Sequence, residues 1–224
     1  MQERRAAIWD VDGTLVDTAE LHFSAWVALA DEICKPFSRA DFAATFGRRN
    51  PEILRALFDQ NMNDHLIAEL GERKELKYRA AATCDGVALL PGVRDVLRGL
   101  RERGWRQAVG SSAPRANVEL ILEQTGTREF FDVVVSMEDT TRGKPDPQVF
   151  LVAAEILGVR PEHCVVFEDA VAGVQAAKAA GMACIAVRYV GHHASEALRV
   201  AGADVVVESL AEVAIGEIER LIDS

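Results

Sequence analysis

The chain has 224 residues, 49% hydrophobic and 27% charged, which is enough apolar material for a full core and leaves room for one domain plus a smaller insert. A formal charge of −10 repels polyanions, so nucleic acid and anionic membrane surfaces are excluded as general partners. No apolar run approaches the roughly 20 residues that span a bilayer, and Met1-Gln2-Glu3-Arg4-Arg5 leads into the first strand without a signal-peptide core, so a cytoplasmic protein is expected. A monomer is expected as well.

The apolar run Ala6-Ala7-Ile8-Trp9 predicts a buried strand that ends in Asp10-Val11-Asp12-Gly13-Thr14. Residues 18 to about 33 carry Leu21, Ala25, Ala28 and Leu29 at the spacing of one helical face. A second helix is predicted from Asn50-Pro51-Glu52, with Asn50 as N-cap and proline at the first helical position, followed by Ile53, Leu54, Leu57 and Phe58. A third starts at about Asn63, carries Leu66, Ile67 and Leu70, and reaches Ala82 past Gly71. No strand-like run interrupts this stretch. Residues 18–86 are therefore expected to form an all-α insert, a small helical bundle placed directly after the first strand.

Asp85-Gly86 and Pro91-Gly92 mark a change of rhythm, after which short β-branched runs alternate with helices. Val93, Val96, Leu97 and Leu100 predict a helix stopped by Gly104, and Arg106 to Gly110 a strand; Pro114 opens a helix with Val118, Ile121 and Leu122. Asp132 to Ser136 reads as a strand, Pro147 to Leu157 as a helix closed by Gly158, Cys164 to Phe167 as a strand, and Ala170 to Ala180 as a helix stopped by Gly181. Strands at Ala183 to Val187 and Asp204 to Val207 follow, and the last helix is expected to begin with Ser209 and Glu212 as a capping box. The alternation implies a parallel sheet: an α/β, Rossmann-like, doubly wound core of residues 1–17 and 87–224. Cys34, Cys84, Cys164 and Cys184 form no CxxC pair and are expected to be reduced and mostly buried, not disulfides or a zinc site.

Polar residues recur where these strands end. Asp10 and Asp12 follow the first, Ser111 and Ser112 the second, and Glu168 and Asp169 the fourth, while Lys144 lies in the loop after the third. In parallel sheets ligands bind at the carboxyl ends of the strands, so four separate segments can meet at one pocket. Paired acids there suit a nucleophile, an acid/base group and a divalent cation. Each segment also has a plainer reading: an acidic turn for Asp10 and Asp12, helix caps for Ser111, Ser112, Asp146 and the Glu168-Asp169 pair, and a solvated loop lysine for Lys144.

Taken together, the four segments resemble the haloacid dehalogenase superfamily, with Asp10-Val11-Asp12-Gly13-Thr14, Ser111, Lys144 in Gly143-Lys144-Pro145-Asp146, and Glu168-Asp169 as its four motifs in order. The helical insert looks like the cap of the first subclass. Asp17-Thr18-Ala19-Glu20-Leu21-His22-Phe23 with Ala25-Trp26, and Glu72-Arg73-Lys74 before Tyr78, are similar to β-phosphoglucomutase and its sugar-phosphatase relatives. The resemblance implies that Asp10 attacks phosphorus and that Asp12 is acid and base. It implies Mg²⁺ held by the Asp10 carboxylate, the Asp12 carbonyl and Asp169, with Glu168 acting through a water, and phosphoryl oxygens held by Ser111 and Lys144. Thr18, His22 and Lys74 would contact substrate when the cap closes, with Ser112 and the cap arginine Arg49 as further candidates. The register is ambiguous there: aligning the glycines puts the mutase arginine position at Asn50, with Arg48 and Arg49 just before it. The plainer readings pack His22 beside Trp26 and leave Lys74 in solvent.

Four functional readings follow. A magnesium-dependent phosphatase for a small phosphorylated metabolite, a sugar phosphate, is preferred, because Ser112-Ala113-Pro114 stands where the mutase has a polar run for its second phosphate. β-Phosphoglucomutase itself is the alternative. A non-enzymatic phospho-receiver is disfavoured by Asp12-Gly13-Thr14 and the long insert, and dehalogenation by the pairing of Asp12 with Asp169.

Overall fold

In the computed structural model the described residues are 4–222; Met1, Gln2 and Glu3, the start of the run read above as entering the first strand, lie outside them. The run Ala6–Trp9 is strand β1 and is buried along its whole length. Ala6 and Ile8 pack into a core cluster with Phe150, Ala153 and Leu157, and Ala7 and Trp9, which point to the opposite face, are equally buried. Burial on both faces is why this strand reads as an uninterrupted apolar run.

After β1 the chain enters the insert and returns to alternate helix and strand: α5 (Val93–Glu102), β2 (Arg106–Gly110), α6 (Arg115–Gln124), β3 (Val133–Val135), α7 (Gln148–Leu157), β4 (Cys164–Glu168), α8 (Val171–Ala179), β5 (Ala183–Val187), α9 (Ser195–Val200), β6 (Val205–Val207) and α10 (Ile215–Ile222). The strands form one six-stranded sheet in the order β3-β2-β1-β4-β5-β6, with every pairing parallel. The direction of winding reverses between β1 and β4, which is the topological switch point where ligands bind in open α/β sheets. Register sets Trp9 opposite Phe167, and their rings stack at 3.9 Å. The Asp10 N–H continues the ladder to the Phe167 carbonyl at 3.0 Å, so the first acid leaves the sheet beside the end of β4.

The insert consists of α1 (Ala19–Glu32), α2 (Arg39–Thr45), α3 (Asn50–Leu57) and α4 (Asp64–Asp85). Trp26, Leu29, Phe42, Leu54, Phe58 and Leu70 form its core. Contacts divide the chain into two compact units, one running to Asp17 and resuming at Ala88, the other Thr18–Val87. Among the described residues, no helix is long and apolar enough to cross a membrane.

Several local expectations are corrected. Helix α2 was not foreseen, although Ser38 and Asp41 form a capping box in which aspartate replaces the usual glutamate. Asn50 is not the N-cap of α3; Arg49 holds that position, and Asn50 is buried inside the helix. Ala28 is exposed, and His22 and Trp26 take the inward face of α1. Ser209 and Glu212 bound a single 3-10 turn, with the Ser209 hydroxyl accepting from the Ala211 N–H, and α10 begins later at Ile215. The short helix α9 was not foreseen either. All four cysteines are free, but Cys34 and Cys84 are exposed; only Cys164 and Cys184 are buried, and burial pushes the Cys164 thiol up to about 12.

Candidate active site

At the carboxyl edge of the sheet, β1 delivers Asp10, β2 delivers Ser111, and β4 ends at Glu168 with Asp169 next. Lys144, from the loop between β3 and α7, reaches across to them. Its Nζ donates to Asp10 Oδ1 at 2.5 Å and to Glu168 Oε1 at 2.7 Å, and all three side chains are buried. Glu168 is oriented at its other oxygen, which accepts from the N–H groups of Asp169 at 2.8 Å and Ala170 at 2.7 Å. Oxygens of Asp10, Glu168 and Asp169 all lie within 4.8 Å of one another. The plain reading of Lys144 as a solvated loop residue is thus corrected, whereas Asp146 does accept from the Gln148 N–H at the start of α7.

Two glycines make room for these acids. Gly13, at φ +91°, follows Asp12 in a turn closed by its N–H on the Val16 carbonyl at 2.8 Å, and a Cβ on it would lie 2.1 Å from Asp169 Oδ2. On Gly173, in the first turn of α8, a Cβ would fall 1.7 Å from Glu168 Oε1. Gly173→Ala is expected to displace that carboxylate from Lys144 and from the two N–H groups, lowering the unfolding free energy by about 1–3 kcal/mol and turnover with it. Gly216→Ala, where nothing lies within 4 Å, is the control, and equal thermal unfolding midpoints for the two variants would overturn the packing argument.

The electrostatics favour a cation. Burial pushes the Asp10 carboxyl up to about 7; Lys144 opposes that rise, while Glu168 and Asp12 add to it. Asp169 is raised well above the carboxylate range by burial and by Glu168 and Asp10. The Lys144 ammonium is held above its ordinary range because Asp10 and Glu168 outweigh the opposing effect of burial. The Lys144 ammonium bonds Asp10 and Glu168, and Asp169 and the half-buried Asp12 add further negative charge beside them. Hard carboxylate oxygens gathered in this way fit Mg²⁺, whose charge reverses such shifts.

Ser111 is buried at the end of β2; its N–H donates to the Val135 carbonyl at 3.0 Å, and its hydroxyl accepts from the Ala113 N–H at 3.0 Å. Ser112 is half-buried beside it. At the start of α6 the Arg115 N–H donates to the Glu138 carboxylate at 2.9 Å and its guanidinium to Asp139 at 2.5 Å. The segment after Ser111 is therefore tied to acids of its own.

In the insert, His22 of α1 and Lys74 of α4 meet, with Lys74 Nζ 2.6 Å from His22 Nδ1. His22 stacks on Tyr78 at 4.0 Å, and Lys74 is 1% exposed, which corrects the plain reading that left Lys74 in solvent. Thr18, the N-cap position of α1, is buried and its carbonyl accepts from the His22 N–H at 3.0 Å. Arg49 is half-buried and Arg48 exposed. Sequence reasoning missed Glu75 and read Asn50 as a cap or as the position of the mutase arginine, not as a partner of Glu75. The adjacency of opposite charges in Lys74-Glu75, four residues from an aromatic on the same helix, was the available signal.

A profile of haloacid dehalogenase-like hydrolases matches residues 4–181. The fructose-1-phosphate phosphatase YqaB of Escherichia coli is 36% identical over 192 residues, 84% of this chain and 99% of that protein. The β-phosphoglucomutase of Bacillus subtilis is 31% identical over 217 residues, 94% of this chain and 92% of that one. A crystal structure of CbbY from Rhodobacter sphaeroides in complex with xylulose-1,5-bisphosphate aligns with a TM-score of 0.82 and 29% identity, covering 93% of this chain and 96% of that one. Sequence and fold agree with these proteins over 84% or more of this chain, which belongs to the haloacid dehalogenase-like hydrolases.

Proposed function

We propose that this enzyme is a magnesium-dependent phosphatase of a small phosphorylated metabolite, a sugar monophosphate, working through an aspartyl-phosphate on Asp10. The observation that carries the reading is the buried Asp10 carboxylate, aligned by Lys144 next to Glu168 and Asp169 at the switch point of the sheet. Asp10 attacks phosphorus as the bond to the sugar oxygen breaks, and Asp12 protonates that leaving oxygen. Asp12 then takes a proton from water as the water attacks the aspartyl-phosphate, returning Asp10 as a carboxylate and releasing inorganic phosphate. Ser111 and Lys144 hold phosphoryl oxygens, and Ser112 is placed beside them; Lys144 also lessens the repulsion between phosphate and Asp10. Asp10, Asp169, the Asp12 carbonyl and, through water, Glu168 would hold Mg²⁺, which supplies positive charge to the transferring phosphoryl group. Thr18, His22, Lys74 and Arg49 of the insert select the substrate.

The acceptor distinguishes this activity from that of a mutase. Arg115 and its N–H are engaged by Asp139 and Glu138, which supports water over a phosphorylated sugar as acceptor. The similarity to β-phosphoglucomutase supports the other reading. A panel of sugar phosphates decides between them: free phosphate release is expected, and rapid conversion of glucose 1-phosphate to glucose 6-phosphate with little free phosphate would replace the phosphatase by the mutase.

Metal removal gives a separate test. EDTA is expected to silence turnover and excess Mg²⁺ to restore it. Mg²⁺ at about 100 times its dissociation constant is expected to add about 2.7 kcal/mol to the folded state. That gain should disappear in Asp169→Asn; a Mg²⁺-dependent rise in unfolding temperature that survives the substitution would remove Asp169 from the ligand set.

A further inference from the structure

Lys144 reaches the two acids from residues 140–147, a loop that belongs to no strand or helix. The loop is tied to the helix that follows it. Gln148, the first residue of α7, accepts at its side-chain Oε1 from the Thr141 N–H at 3.0 Å, the Thr141 hydroxyl at 3.2 Å and the Arg142 N–H at 3.0 Å. The Asp146 N–H donates to the Gly143 carbonyl at 3.0 Å, and the Asp146 carboxylate pairs with Arg142 at 3.0 Å. Phe150, in the same first turn of α7, is fully buried in the core cluster that includes Ile8 of β1, and its ring centroid lies 4.9 Å from Lys144 Nζ.

Backbone N–H groups can only donate, so the Gln148 amide must turn its oxygen to the loop. One acceptor thereby gathers donors from the residues two and three positions before Lys144. Thr141 and Arg142 are exposed, and water can replace these bonds, so they add little to the stability of the whole fold. They set the cost of opening the loop locally. The consequence at Lys144 is larger, because its ammonium must meet Asp10 at 2.5 Å and Glu168 at 2.7 Å, and a displacement of about 1 Å at such a site costs on the order of 10²-fold in rate.

We propose that Gln148 is a positioning residue of the reaction: its side-chain oxygen fastens Thr141 and Arg142 to the first turn of α7 and so holds the Lys144 ammonium between Asp10 and Glu168. The inference rests on the proposed role of Lys144 at the phosphoryl oxygens. Gln148 acts through Lys144, and what it supplies is an acceptor, not a charge.

The test compares two variants of the full-length protein. Gln148→Met keeps the length of the side chain and suits a helix but has no oxygen, whereas Gln148→Glu keeps the acceptor and adds a charge that the first turn of a helix favours. On a chromogenic phosphomonoester with Mg²⁺, Gln148→Met is expected to lower kcat by about 10- to 100-fold, with an unfolding midpoint within about 4 °C of wild type. Gln148→Glu is expected to stay within about threefold of wild type. The second readout needs no catalysis. Reductive methylation without substrate, followed at each lysine by mass spectrometry, is expected to modify Lys144 at least about tenfold faster in Gln148→Met than in wild type or Gln148→Glu. The buried thiols of Cys164 and Cys184 should stay as unreactive as in wild type, which marks the opening as local. Unchanged kcat or unchanged Lys144 labelling in Gln148→Met overturns the inference, as does a Gln148→Glu protein as slow as Gln148→Met. Joint exposure of Lys144 and both thiols also overturns it, leaving Gln148 as a staple of the fold. Should Gln148→Met fail to fold, hydrogen exchange in the wild type decides: protected Thr141 and Arg142 amides are expected, and exchange at free-peptide rates overturns the inference. A wild type that hydrolyses no phosphate ester, with Lys144 uncovered in Gln148→Met, would reject the proposed function and leave Gln148 as the residue that holds Lys144.

Discussion

Asp10→Asn is expected to bring turnover to background, a loss on the order of 10⁴-fold or more, with the fold intact. Asparagine keeps the shape and the hydrogen bond from Lys144 but has no carboxylate to attack phosphorus. It also removes one of three acids crowded within 4.8 Å; burial, with repulsion from neighbouring carboxylates, holds Asp10 at about 7. The unfolding temperature of the metal-free variant should therefore hold or rise. This separates loss of the nucleophile from loss of structure, which would lower both turnover and stability. The measurements are hydrolysis of a chromogenic phosphomonoester and the mass of the acid-quenched enzyme, in which the aspartyl-phosphate adduct should be absent. Residual hydrolysis near the wild-type rate would sink the nucleophile assignment.

Asp12→Ala is expected to cost on the order of 10² to 10⁴-fold, the usual contribution of one positioned acid/base group. Its dependence on the leaving group is more informative than its size. A sugar oxygen needs the proton from Asp12 in the first step, while a nitrophenolate leaves without one, so the sugar phosphate should suffer the larger loss in that step. The second step needs Asp12 to take the proton from water with either substrate. A chromogenic ester should thus leave Asp12→Ala trapped as phosphoenzyme, visible as a burst of phenolate followed by slow turnover. A uniform loss with no burst and no adduct would assign Asp12 to positioning and leave the proton transfers to another group.

Secondary structure and fold class were readable because strand burial and helix amphipathicity write themselves into local residue order. The strands β1 and β5 are continuous apolar runs because each is covered on both faces, and the helical insert shows no strand period anywhere between residues 18 and 85. The misreadings fall where tertiary packing overrides local propensity. Asn50 has the chemistry of a cap, yet inside α3 its amide serves a buried carboxylate from α4. Lys74 and Lys144 have the chemistry of solvent-facing residues, and both are buried because acids from distant or adjacent positions neutralise them. The contact between Asn50 and Glu75 left no trace in local periodicity because the two residues come from different helices.

By itself, the sequence determined the alternation of strand and helix, the position of the insert and the four segments that carry the resemblance, since these depend on residues near one another in the chain. Only the tertiary structure decided which charges meet. Strand order β2-β1-β4 sets Asp10 beside Glu168, the loop before α7 brings Lys144 between them, and glycines at positions 13 and 173 leave the space that the carboxylates occupy. Within the insert, the packing of α3 against α4 brings Asn50 to the Glu75 carboxylate that also receives Lys74. The physical reason is the same in both units: electrostatic energy depends on distance and burial, and those are properties of the folded chain.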